Sequence, residues 1–200
     1  MQKLIAIVIW LCLAPLAVMA QDTELKIPAD VAPFVESGTK AIALEKSDLN
    51  GDGREDFILV LEKEKPAKDN DDFPVGQRPL LILLRGVDGK LTMAKRNEKI
   101  VMCAQCGGVF GDPFAGLAVA GTRFTVSNYG GSNDRWADEF TFAYSKRDGT
   151  WQLVRAEVTT FRATDPNHTT HKHIYTPPKD FGLINFADFD PENYRKQGAK

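Results

Sequence analysis

The chain has 200 residues, 43% hydrophobic and 26% charged, with a formal charge of −2 at neutral pH. That length suits one domain with a sizeable core. So balanced a charge gives no basis for a nucleic-acid partner or an anionic membrane surface.

The first predicted element is an export signal. Lys3 supplies the positive n-region, Leu4 to Leu13 the apolar run, and Val18-Met19-Ala20 a small-x-small cleavage site. This assigns a signal peptide to residues 1–20 and a mature start to Gln21. The competing reading is a membrane anchor, but the run is short for a span and is broken by Pro15. Cys12 lies behind Ile9-Trp10-Leu11, without the small residues that precede an acylated cysteine. No later apolar stretch is long enough to cross a bilayer, so no span is expected in the mature chain. Loss of Lys3 on cleavage takes the formal charge from −2 to −3. The expected location is periplasmic or secreted, which is oxidising and far richer in calcium than the cytosol.

Residues 21–200 read as a single β-rich domain. A short helix is the expectation for Pro28 to Glu36. Ala41-Ile42-Ala43-Leu44 then leads into Asp48-Leu49-Asn50-Gly51-Asp52-Gly53-Arg54-Glu55-Asp56. In that loop, oxygen-bearing side chains stand at Asp48, Asn50, Asp52 and Asp56, and Arg54 offers a backbone carbonyl at position seven. Gly53 occupies position six, where a calcium loop turns sharply. A hard divalent cation takes six to eight oxygens, so Ca2+ is the expected ligand. The competing reading is an Asx-rich hairpin turn without metal, since Asn-Gly and Asp-Gly form turns readily. An EF-hand is excluded, because its position twelve would be Leu59 in place of a bidentate glutamate.

Phe57-Ile58-Leu59-Val60-Leu61 follows, a continuous apolar run that suits a strand buried on both faces. The segment from Asp48 through Val60 resembles the FG-GAP/VCBS-type repeat of integrin-like β-propellers. That resemblance implies an acidic loop joining two strands and holding calcium. One copy is present, whereas a propeller needs about four or more blades, so the resemblance extends to the loop and its flanking strands alone.

Glu62 to Asp72 is highly charged and reads as a solvated loop. Pro79 to Leu84 is the next strand candidate, and Asp88-Gly89 turns the chain into Leu91 to Ala94. Cys103-Ala104-Gln105-Cys106 precedes Gly107-Gly108, which discourages the helix a thioredoxin-type redox pair requires. A zinc ribbon would need a second such pair. The favoured reading is a disulfide between Cys103 and Cys106, with a redox pair and a mixed zinc site as alternatives. The run from Cys103 to Phe114, followed by Tyr129-Gly130-Gly131-Ser132, resembles uncharacterised bacterial exported proteins, which implies export and no particular activity.

Leu117 to Val119 and Arg123 to Ser127 read as a hairpin turning at Gly121, and Tyr129 to Asp134 as a turn-rich connector. Ser132-Asn133-Asp134-Arg135-Trp136 suits a recognition surface, or a hairpin whose Trp136 packs inward. Glu139 to Tyr144 and Trp151 to Val158 alternate polar and apolar residues, as half-buried strands do. From Thr164 onward periodicity fades, and the segment is expected to wrap the sheet as loops. All three histidines, His168, His171 and His173, lie here. They form a possible second metal site, since His171 and His173 on an extended segment would project to one side. The plainer alternative is an exposed polar loop.

The fold class expected is all-β, an antiparallel meander of about seven or eight strands, with barrel, sandwich and curved sheet left open. No nucleophile elbow or phosphate-binding glycine loop is present, so no catalytic residue is assigned. The favoured function is a non-enzymatic exported calcium-binding β-module with a protein or glycan partner. The alternatives are a thiol- or metal-dependent enzyme using Cys103, Cys106 and the histidines, and a periplasmic inhibitor or immunity-type protein.

Overall fold

Two antiparallel sheets build the molecule. The computed structural model describes residues 25–63 and 78–195. The expected signal peptide and residues 64–72 of the expected charged loop lie outside the described residues. The first sheet runs in sequence order through β1 (Thr39–Ser47), β2 (Asp56–Lys63), β3 (Arg78–Arg85) and β4 (Leu91–Val101). The second runs through β5 (Phe114–Ala120), β6 (Arg123–Gly131), β7 (Asp134–Ser145), β8 (Thr150–Arg162) and β9 (His171–Tyr175). Each strand pairs with its sequence neighbour, so both sheets are meanders.

The facing sides of the sheets share one apolar cluster. Ile58, Val60, Leu80 and Ile82 from the first sheet meet Phe124, Val126, Phe140, Phe142 and Val158 from the second. This is the two-layer solution that a half-apolar sheet requires. The opposite faces of β2 and β3 are covered as well. Phe57, Leu59, Leu61, Leu81 and Leu83 form a second cluster with Val31, and Ile27, Phe34 and Val35 pack against it. The two continuous apolar runs are therefore buried on both sides, as their lack of alternation implies.

The structure departs from the sequence reading in four places. The expected helix near Pro28 is a single 3-10 turn, Ala32–Phe34, because Pro33 has no amide hydrogen with which to continue it. Glu62 belongs to β2 and is paired with Arg78, so it is not part of a solvated loop. The connector after Tyr129 shrinks to Ser132 and Asn133, since β6 runs to Gly131 and β7 begins at Asp134. The closing segment is more than loops. It holds β9, the short helices α1 (Pro166–Thr169) and α2 (Glu192–Arg195), and a 3-10 turn, Phe186–Asp188. Phe186, Phe189 and Tyr194 reach into the shared core. Asn97 on β4 fixes this wrap, its side-chain amide donating to the carbonyls of Phe186 at 2.6 Å and Phe189 at 2.9 Å. Among the described residues, no helix is long and apolar enough to cross a membrane.

Candidate functional site

The acidic loop is the connection between β1 and β2 and closes on its own backbone. Oδ1 of Asp48 accepts the amides of Gly51 at 2.8 Å and Asp52 at 3.0 Å, and Oδ2 accepts that of Gly53 at 2.9 Å. Gly51 and Gly53 take φ of +75° and +84°, a region that residues with a Cβ enter only with strain. Burial works against the charge of Asp48. The amides of Gly53, Asp52 and Gly51, with Arg54 nearby, outweigh it and hold the carboxyl below its ordinary range.

The other predicted ligands are engaged differently. Asn50 Nδ2 donates to Asp52 Oδ2 at 2.7 Å, and the Arg54 guanidinium is ion-paired with the same carboxylate. Arg54 Nε also donates to the Arg85 carbonyl at 2.7 Å, tying the loop to the end of β3. Asp56 is fully buried. Its Oδ2 accepts the amide of Leu49 at 3.0 Å, and its Oδ1 that of Arg85 at 2.8 Å. Burial raises the Asp56 carboxyl, those two amides lower it, and the charges of Asp52 and Asp48 push it up again, leaving it above its ordinary range. Leu49 is itself fully buried in the shared core. One acid thus staples the start of the loop to two strands.

Among the described residues, no three His, Cys, Asp or Glu side chains are gathered at a spacing that could hold a metal ion. For the acidic loop the reason is visible. Asp52 is turned onto Asn50 and Arg54, and Asp56 is turned inward onto two amides.

Cys103 and Cys106 are disulfide-bonded, with Cα atoms 5.3 Å apart. The loop they open packs against the β6–β7 hairpin. Gly107 and Gly131 exchange backbone contact, the Gly131 amide donating to the Gly107 carbonyl at 3.0 Å. The indole of Trp136 lies over Gly130, where an added Cβ would sit 2.6 Å from Cζ2. Trp136 is half-buried and belongs to neither apolar cluster.

Beyond the glycines the loop presents Val109, 74% exposed, and Phe110, 44% exposed. Phe110 meets Tyr129 edge-on with ring centroids 5.2 Å apart, and Arg135 stands 4.7 Å over the Phe110 ring. Arg135 Nη1 donates to the Tyr129 hydroxyl at 2.8 Å. This arrangement leaves an apolar tip held rigid by aromatic and cation–π contacts.

Arg78 anchors the other end of the loop. Its guanidinium is 1% exposed and donates to both Asp112 oxygens at 2.6 Å, to Glu62 Oε1 from Nε at 3.0 Å, and to the Met102 carbonyl at 3.2 Å. Burial opposes the charge of Asp112, but Arg78 and the Phe114 amide outweigh it and hold the carboxyl below its ordinary range. Sequence reasoning missed this network. Its only trace is an arginine opening an apolar strand, with its acids remote in sequence.

The histidines stand apart from the cysteines. His168 sits on α1, its Nδ1 2.7 Å from Asp165 Oδ1. His171 and His173 are exposed on β9. His171 aligns with Thr160, Thr160 with Trp136, and Trp136 with Gly130 beside the cysteine loop. Three strand spacings, about 14 Å, separate His171 from Gly130. The mixed site of cysteines and histidines is therefore not assembled, because the intervening strands β7 and β8 stand between them. Compared with protein-family models, curated proteins and solved structures, the chain matches none.

Proposed function

We propose that the chain is an exported, non-enzymatic β-sandwich module. In this reading its Asp48–Asp56 loop takes calcium, and its Cys103–Phe114 loop meets a protein or glycan partner. The observation that carries the calcium reading is the electrostatic state of the acidic loop. Asp48, Asp52 and Asp56 lie within nine residues, and burial first, then the charges of Asp52 and Asp48, push the Asp56 carboxyl up. The Arg54 guanidinium and the Asn50 amide now sit on Asp52, where positive charge is demanded. A divalent cation would answer that demand through Asp48, Asn50, Asp52, the Arg54 carbonyl and Asp56. The donor set fits, being all oxygen. Binding then requires Asp52 to release Arg54 and Asn50, and Asp56, now buried, to turn from the amides of Leu49 and Arg85.

The partner reading rests on the exposed tip at Val109 and Phe110, braced by the disulfide, by Arg78 and by Arg135. Rigid aromatic and arginine groups are frequent anchors in interfaces, since little entropy is lost when they are covered. Calcium titration of the mature protein, followed by calorimetry, tests the first half. Absence of any binding heat with millimolar calcium would count against it. Capture of a partner by wild type but not by Phe110→Ala tests the second. Equal capture by both would count against the tip.

A further inference from the structure

We propose that His171 and His173 form a bidentate site for a borderline divalent transition metal, of the Zn2+ or Cu2+ class, on the edge of the second sheet. Three observations place the two imidazoles together. Both residues lie in β9 two positions apart, so their side chains leave the same face about 6.7 Å apart along the strand. The ring of His173 stacks with that of Tyr175, two positions further on, with centroids 6.3 Å apart and planes at 21°. The alternate positions of β9 thus share one face in fact as well as by rule. His171 aligns with Thr160 and His173 with Val158, so neither is displaced by a bulge.

The surroundings favour a metal over a structural role. Both histidines are exposed, and β9 is the outermost strand of its sheet, so an ion has open access. Among the described residues neither ring is committed to a hydrogen bond or ion pair, whereas His168 is held by Asp165. His168 is therefore left out of the site. Lys172 between the pair points to the other face and is ion-paired with Glu157, which keeps its charge away from the rings. Imidazole nitrogens prefer Zn2+, Cu2+ and Ni2+, while Ca2+ takes oxygen. Two nitrogens make half of a tetrahedral set, leaving the remaining positions to water or an incoming ligand. This site is independent of the calcium loop.

The test uses the tag-free mature protein and the metal alone. Wild type should bind one Cu2+ per chain, with a spin-resonance signal showing two coordinated imidazole nitrogens. His171→Ala and His173→Ala should each weaken Cu2+ and Zn2+ binding by about tenfold or more. His168→Gln should leave both unchanged, and millimolar Ca2+ should displace neither. In wild type, bound Zn2+ should protect His171 and His173, but not His168, from diethyl pyrocarbonate, a readout that needs no variant. Equal Cu2+ binding by wild type and the His171→Ala/His173→Ala double variant would overturn the proposal. So would protection of His168 alone.

Discussion

Arg78 and Asp112, thirty-four residues apart, meet through two parallel hydrogen bonds of 2.6 Å. The guanidinium is 1% exposed, and Glu62 shares it from β2. A planar fork matched to a carboxylate is the strongest form of such a pair. It fastens the loop that carries the disulfide and the apolar tip to the first sheet.

Arg78→Met should therefore destabilise by about 1–3 kcal/mol, because Glu62 loses its cation where it is largely buried, while Asp112, 49% exposed, is partly solvated by water. Lys40→Met should cost under about 1 kcal/mol, since Lys40 reaches the same Glu62 from solvent. Denaturant unfolding of both variants checks the contrast. Equal losses would show that burial of Arg78 adds nothing.

Acid should expose both that network and the acidic loop. Asp112 and Asp48 are both held below their ordinary value of 3.8 in the folded state. Their contribution is complete above that pH and is lost as pH falls through the lower folded values. Asp56 is raised, so its share is present below 3.8 and is lost as pH rises through its folded value. Denaturant midpoints measured in chelator should fall more steeply below pH 3.8 for wild type than for Asp112→Asn. Parallel curves would contradict the assignment of Asp112.

The disulfide should contribute modestly. Closing so short a loop restricts the unfolded chain by only about 2 kcal/mol. Cys103→Ser/Cys106→Ser should melt lower by that order and keep its fold by circular dichroism. Thiol titration of the native protein should find no free thiol until it is denatured and reduced. A free thiol in the native protein, or loss of the fold, would be the opposite result.

Gly130→Ala should cost about 1–3 kcal/mol through overpacking, because its Cβ would meet the Trp136 indole at 2.6 Å and the Gly107 Cα at 3.0 Å. Trp136→Leu should relieve part of the penalty in the double variant. Additive losses would mean that the two residues do not press on each other.

Eight strands were legible in the sequence because burial wrote a pattern there. β2 and β3 each carry an unbroken apolar run that is buried on both faces, whereas β6 alternates in burial along its length. β9 left no such mark. Its residues His171 to Ile174 are all exposed, so nothing selected alternation, and its strand character comes from pairing with β8 alone. The acidic loop was legible as a turn because its glycines and Asx residues act locally. The inward turn of Asp56 was not, since its partner, the Arg85 amide, is contributed by β3 through tertiary pairing. The Arg78 network and the stack of Phe110, Tyr129 and Arg135 are equally non-local, and spacing along the chain carries no trace of them.

Calcium is the central claim, and thermal unfolding tests it most directly. An ion that binds the folded state alone stabilises by mass action, about 2.7 kcal/mol at a hundredfold excess over its dissociation constant. Wild type should melt lower in chelator than in millimolar calcium, and added calcium should restore the higher value. Asp52→Ala should remove the response while keeping the fold, because Asp52 is exposed and lies outside the core. Identical melting of wild type in chelator and in millimolar calcium would contradict the account, and the acidic loop would then be a turn closed by its own hydrogen bonds.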